Sequence, residues 1–261
     1  MTRTWLTVDT DDRHHRPSMQ GHPTRSASPD GRGVDRTPSE AWLSACSALG
    51  AWLDRQSVPV TLFVIADQLE VDASRDALLS LTNRPGVTVG CHGLHHRAWG
   101  AWPADELRFN DALTTSMHRL REAFGDRVQP WFRAPSGYVA PWMARVLAGV
   151  GMTVDSSVNP SFLVRKKAGP GRSWTDVERA MTDAGLVERP WLVRKGLPTC
   201  GPALHLPLLR RNARRAWRAL PDVLKAEEVP VVEDASRPLV TVYWHLDDHA
   251  RHHGAWTPPL R

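Results

Sequence analysis

The chain has 261 residues, 41% of them hydrophobic and 23% charged, which is enough apolar material for a full core and excludes a disordered or fibrous protein. Its 33 basic and 28 acidic residues leave a net charge of +5, too modest to announce a nucleic-acid binder, so no nucleic-acid partner is expected. Cys46, Cys91 and Cys200 form an odd set without CxxC spacing, which argues for reduced thiols, and with no apolar window long enough for a signal peptide or membrane span the expected location is cytoplasmic.

Trp5-Leu6-Thr7-Val8 reads as a buried strand that ends in Asp9, Asp11 and Asp12. The stretch 13–38 is rich in Pro, Gly, Ser, Arg and His and is expected to be a long loop insertion: a substrate-facing lid that starts beside the aspartates and stays mobile until substrate is present. From Ser39 to Arg55, Trp42, Ala45, Cys46, Leu49, Trp52 and Leu53 recur at helical spacing. A strand over Val58 to Ile65 and a short helix over Arg75 to Leu81 follow. A third strand, Val87-Thr88-Val89, then delivers Gly90-Cys91-His92-Gly93-Leu94-His95-His96. Pro103 opens a helix with Leu107, Leu113, Met117, Leu120 and Phe124 on one side, and Gly125 closes it.

Val128 to Phe132 leads to Arg133-Ala134-Pro135-Ser136-Gly137-Tyr138. After a helix from Pro141 to Val150, Met152-Thr153-Val154 leads to Asp155-Ser156-Ser157. The region 161–207 is irregular and expected on the substrate side, with a helix over Ser173 to Ala184 and a strand over Leu186 to Val193. Arg210 to Leu224 reads as a basic helix, and Leu239 to Trp244 as a last strand ending in His245-Leu246-Asp247-Asp248. Strands alternating with helices predict a parallel sheet, and polar clusters at the end of strand after strand predict a barrel enzyme. The expected fold class is therefore α/β, a distorted (β/α) barrel forming a single domain over 1–261.

His92 and His96 are four residues apart, a metal-ligand spacing that a helical turn after Gly90 would place on one face. A carboxylate from the first strand end would complete a set that suits a divalent ion, zinc by default, with one position open for water. Such an ion lowers the pKa of water toward ~7. The spacing leaves both Asp11 and Asp12 open as the third ligand. His95 would point about 100° away from His96 on the same turn, so it is not expected to be a ligand. Two histidines and a carboxylate also make the facial triad of non-haem iron oxygenases, but those carry a His-x-Asp spacing that this α/β pattern lacks.

Taken in order, these clusters resemble the polysaccharide deacetylase family, the NodB homology domain of carbohydrate esterase family 4. The pieces that carry the resemblance are Thr7-Val8-Asp9-Thr10-Asp11, His92-Gly93-Leu94-His95-His96, Arg133-Ala134-Pro135-Ser136-Gly137, Val154-Asp155-Ser156-Ser157 and Val242-Tyr243-Trp244-His245. The resemblance implies a barrel of about seven strands and a metal-dependent hydrolase that removes acetyl or other small acyl groups from a sugar or glycan. It implies Asp11, His92 and His96 as metal ligands, Asp9 as general base and His245 as the acid that protonates the leaving amine. By the same resemblance Arg133 orients the base, Asp155 tunes the catalytic histidine, and the backbone N–H of Ser136 binds the oxyanion.

Three residues depart from the family pattern. The aspartate motif is Asp-x-Asp-Asp instead of an adjacent pair, Tyr243 stands where leucine is usual, and Ser136 stands where an aromatic is usual. These changes bear on the acyl group more than on the metal. Asp-x-Asp forms also occur in relatives acting on lipid-linked sugars, including deformylases of amino sugars; a catalytically inactive sugar-binding relative is the other alternative. Tyr138, Tyr243 and Trp244 are the expected sugar contacts, and Trp99 and Trp102 lie near motifs as well. Arg210, Arg211, Arg214, Arg215 and Arg218 line one side of their helix, which suits either a solvated barrel helix or a peripheral contact with an anionic membrane surface. An acylated sugar intermediate, lipid-linked or soluble, is the expected substrate.

Overall fold

In β1 (Arg3–Asp9) every residue after Arg3 is buried, the pattern of a strand with both faces covered. The computed structural model describes residues 1–260. After β1 come α1 (Glu40–Gln56), β2 (Val60–Val64), α2 (Asp72–Thr82), β3 (Val87–Cys91), α3 (Glu106–Phe124), β4 (Val128–Phe132), α4 (Met143–Gly149) and β5 (Val154–Asp155). The chain continues through α5 (Trp174–Asp183), β6 (Val187–Glu188), a small hairpin of β7 (Val193–Arg194) and β8 (Leu197–Pro198), α6 (Arg210–Trp217) and β9 (Leu239–His245). Seven of these strands form one parallel sheet in the order β6-β5-β4-β3-β2-β1-β9.

The sheet curls into a half-barrel. Pro190 interrupts the strand expected over Leu186 to Val193, and the chain leaves β6 to cross to the opposite edge. There Trp191 bridges Thr241 of β9, and Leu192 N–H donates to Thr241 O at 2.9 Å. This brings strand ends from both edges around one cavity. The β7–β8 turn, Lys195-Gly196, has both φ values positive at 55° and 69°, as a two-residue hairpin requires.

Alternation along the strands sorts the core into two parts. On the concave face Trp5 meets Phe63 and Trp131 edge-on at 6.0 and 5.3 Å, and Val154, Leu224 and Val232 complete this smaller cluster. On the convex face Leu6, Val8 and Trp244 pack under the helices, with Trp244 against Trp52 of α1 and Trp217 of α6. The stripe expected on α1 is buried throughout, and Ser39 caps that helix by accepting from Trp42 N–H. In α3 the expected Leu107 is instead 81% exposed, and Phe109 takes the core position. Two helical residues differ by about 200° in direction, so only one of the pair can face the sheet.

The basic helix ends at Trp217, short of the expected Leu224, because Pro221 cannot continue it. Pro221 O and Asp222 O instead accept from Thr4, laying the segment beside β1. Ala213, Ala216 and Trp217 of α6 are buried in the fold while the arginines face outward. The apolar side that a membrane-inserting helix needs is thus already covered. No helix among the described residues is long and apolar enough to cross a membrane.

Residues 13–38 are packed against the body of the protein, contrary to the expectation of a free lid. Asp12 accepts from Arg13 N–H at one end of the segment, and from Ser39 N–H and Ser39 Oγ at the other, both at 2.7 Å. Within the segment His14, His15, Gln20 and His22 are buried, and Gln20 Nε2 donates to His14 O at 3.0 Å. Composition misleads here because polar side chains, given buried partners, fasten a loop without an apolar core.

Candidate active site

The site is assembled by strand register. Asp9 lies opposite His245 across β1 and β9, and opposite Phe63 across β1 and β2. Val64 pairs with Cys91, Cys91 with Phe132, and Phe132 with Asp155, so the segments beginning at His92 and Arg133 leave neighbouring strands at one edge. Just past β1, Thr10 is held by its N–H to Phe63 O, its hydroxyl to Gln68 at 2.6 Å, and its carbonyl to Trp42 Nε1 and Gln68 Nε2, both at 2.8 Å. With Thr10 so fixed, Asp11 reaches the cavity. Asp12 is consumed by the loop contacts, so the geometry favours Asp11 over Asp12 as the carboxylate of the cluster.

His92 and His96 converge, but not on a helical turn. His92 N–H continues the sheet to Val64 O, and Gly93 at φ +91° turns the chain so that Ala66 N–H and Asp67 N–H pair with Gly93 O and Leu94 O. The rings lie 5.3 Å apart. Asp11 Oδ1 is 2.9 Å from His96 Nε2 and 3.8 Å from His92 Nε2, and Asp11 Oδ2 is 3.7 Å from His245 Nε2. His92 Nδ1 bonds Arg133 O at 2.8 Å, which aims Nε2 at the cluster. His95 turns away to Asp67, its Nδ1 3.0 Å from Oδ2. Burial opposes charge on Asp11, yet the charges of His96, His92 and His245 hold its carboxyl well below the usual range. Burial pushes His92 toward the neutral ring that a metal ligand needs.

Asp9 and Arg133 form a buried pair, with Arg133 Nη1 donating to Asp9 Oδ1 at 2.7 Å. Ser136 sits in a left-handed turn at φ 55°; Lys167 Nζ donates to its carbonyl at 2.6 Å, and both residues line the cavity. Tyr243 lines it too, its ring tilted against Trp191 with centroids 4.4 Å apart. The cavity measures about 380 Å³ and holds Asp9, Asp11, His92, His96 and His245 in its walls.

Three expected roles do not match this arrangement. Trp244 is fully buried on the convex face, since strand alternation that turns Tyr243 and His245 inward must turn Trp244 outward. Tyr138 lines an adjoining hollow and not the Asp/His cavity, and Trp99 is buried away from it. Asp155 makes no hydrogen bond to His245; its carboxyl accepts from Ser157 N–H and Ser157 Oγ, and it faces Glu188 across β5 and β6. Burial and then Asp155 push Glu188 well above the carboxylate range.

The carboxylates that His245 does meet are Asp11, Asp248, Asp9 and Asp247. Burial works against its charge, and these acids overcome burial and raise its pKa. Asp248 Oδ2 accepts from His245 N–H at 3.2 Å, while Oδ1 lies 2.7 Å from His205 Nε2 and accepts from Arg251 Nε at 2.9 Å. Asp248 directly follows the last motif and was legible as a strand-end acid. His205 and Lys167 come from the irregular region, where no spacing marks them.

A curled parallel α/β sheet with an Asp/His cluster and a buried Arg–Asp pair at its strand ends defines the class of protein. The family model described as polysaccharide deacetylase matches residues 35–154 of the chain. That stretch contains His92, His96 and Arg133; Asp9, Asp11 and His245 lie outside it. No curated protein sequence matches the chain. Among solved structures, a Mycobacterium smegmatis protein assigned as a polysaccharide deacetylase superposes with a TM-score of 0.58 at 19% identity, over 97% of this chain and 80% of that one, which establishes the fold. Weaker likenesses are a 4-alpha-glucanotransferase from Thermococcus litoralis (TM-score 0.49, 13% identity, 99% of this chain and 35% of that one) and the chitin deacetylase of Colletotrichum lindemuthianum (TM-score 0.39, 12% identity, 91% and 84%).

Proposed function

We propose that the protein is a metal-dependent hydrolase that removes an N-acetyl or similarly small acyl group from a sugar or glycan. One observation carries the reading: Asp11 Oδ1, His92 Nε2 and His96 Nε2 are buried within one cluster, and none has a hydrogen-bond partner among the described residues. Three unpartnered donor atoms of this chemistry fit a divalent ion, zinc foremost. When bound, the ion supplies a Lewis acid that makes water a competent nucleophile near neutral pH.

The remaining roles belong to the chain. Asp9 is the general base: its carboxylate lies beside Asp11 and is aimed by the Arg133 fork. His245, 3.7 Å from Asp11 and raised in pKa by the surrounding acids, is the group that gives a proton to the departing amine. The Ser136 N–H, presented by the left-handed turn after Pro135, is the donor for the oxyanion. Tyr243 and Trp191 wall off the space beside them, which favours a small acyl group.

Incubating metal-loaded protein with N-acetylated and N-formylated amino sugars, free and in oligomers, and measuring released acid tests the reading. Release that depends on metal and disappears in Asp9→Asn supports it. Absence of release from every acylated sugar, with metal bound, overturns it.

A further inference from the structure

Beside Tyr138 and Lys166 lies a second hollow of about 610 Å³. Its charged lining has a single sign. Arg25, Arg165, Lys166 and Arg172 line it beside His22 and Tyr138, and no Asp or Glu is among the described residues of its wall. Neither these four nor Lys167 makes an ion pair with any described residue. Asp176 is near enough to feel Arg172, but its carboxylate is committed to Ser173 N–H and Oγ at the start of α5.

Lys167 lines the Asp/His cavity and lies against Tyr138, which lines the second hollow. Its Nζ donates to Ser136 O and stands 5.3 Å from the ring centroid of Tyr138. Arg25 Nη1 donates to the Tyr138 hydroxyl at 3.3 Å, and the His22 ring meets Tyr138 edge-on at 5.0 Å. Burial, then Arg25, lowers the Lys167 ammonium to about 8. Gly169 and Gly171, at φ 98° and 68°, fold the chain back so that Arg165, Lys166 and Arg172 share one hollow. Cations gathered without a counter-charge repel one another, and an anion placed among them relieves that repulsion and gains charge-assisted hydrogen bonds.

We propose that this hollow binds an anionic group, phosphate or carboxylate, carried by the same sugar whose acyl group enters the Asp/His cavity. The substrate class is then an acidic acylated sugar. The inference rests on the deacetylase reading for the identity of the sugar, but the anion site itself can be measured without catalysis.

The test is calorimetric binding of N-acetylglucosamine, its 1-phosphate, its 6-phosphate and its 6-carboxylate analogue to the whole protein, and to the Arg25→Ala, Lys166→Ala, Arg172→Ala triple variant. At least one charged sugar should bind the native protein about tenfold more tightly than the neutral one, the scale of a single charge-assisted contact. That preference should shrink with added salt and vanish in the triple variant. The ranking of phosphate against carboxylate identifies which group the hollow takes. Equal affinity for all four sugars, or a preference that survives in the triple variant, overturns the proposal. A charge-dependent preference without acid release from any sugar would leave the anion site standing and sink the deacetylase reading instead. All three substituted side chains are exposed, and matching melting curves show that the variant is folded.

Discussion

Arg133 Nη1 bonds Asp9 Oδ1 at 2.7 Å, joining the ends of β4 and β1 across 124 positions of sequence. The arginine is fully buried. Its Nε and Nη2 donate to Ser156 O and Oγ, both at 2.9 Å, and its guanidinium lies 4.1 Å over the Phe63 ring, so the fork has one orientation. Removing it leaves a buried carboxylate without a partner. Arg133→Met should cost about 3–5 kcal/mol, the range for breaking a buried ion pair, and adding Asp9→Asn should recover part of that loss by removing the stranded charge. Urea unfolding of the single and double variants checks this; a double variant no more stable than the single would mean that the two residues are not energetically paired.

Metal content should separate Asp11 from its neighbour. His92→Ala, His96→Ala and Asp11→Asn are expected to lose the ion by elemental analysis. Asp12→Asn should keep it and lose about 1 kcal/mol or more, as expected when a capping carboxylate is weakened. Loss of metal in Asp12→Asn with retention in Asp11→Asn would move the ligand by one position.

Asp9→Asn is expected to bind metal normally and to lower kcat by ~10²–10⁴-fold, the usual contribution of a general base. Single-turnover acid release at saturating substrate, read beside metal content, makes the distinction. Full activity in this variant would remove Asp9 from the reaction.

Gly21 ties the long loop to the turn that carries His96 of the Asp/His cluster. A Cβ on Gly21, which sits at φ +88°, would stand 1.9 Å from His96 O, closer than any contact allows. Gly21→Ala should therefore push apart the loop and the turn that carries His96, lowering both metal affinity and melting temperature. Gly33→Ala, where a Cβ meets nothing within 4 Å, serves as the control. Equal metal affinity in the two variants would show that the loop does not support His96.

Acid should destabilise the fold through two buried histidines. Trp244 Nε1 donates to His249 Nε2 at 3.0 Å, which requires the neutral ring, and burial lowers His249 to about 4. Burial and the adjacent His15 lower His14 to about 4 as well. An unfolded imidazole titrates at 6.5, so between that value and about 4 the unfolded chain holds more protons than the folded one. Stability from these groups is complete above 6.5 and falls as pH is lowered through the window. His249→Gln, which keeps an acceptor for Trp244 but cannot titrate, should flatten the dependence of the urea midpoint on pH between 7 and 4.5. An unchanged slope would remove His249 from the acid response.

The order of strands and helices, the stripe on α1 and the clustering of Asp9, Asp11, His92, His96, Arg133 and His245 at strand ends could all be read from the sequence. These are local properties: period 2 or 3.6 and the residue types that follow a strand are written in consecutive positions. What the sequence left open was decided by contacts between distant segments. Asp11 faces the histidines because Asp12 is claimed by Ser39, 27 positions on, a choice that no local spacing records. Trp244 faces away from the cavity because its strand alternates, and the inward side is known only once His245 is seen beside Asp9. Asp155 meets Glu188 instead of His245, and Asp248 takes the place beside His245, because curling of the sheet sets which strand ends adjoin. The packed loop and the basic hollow escaped for the same reason: a carboxylate reaching back to Ser39 and cations gathered from positions 25 to 172 are neighbours in space alone.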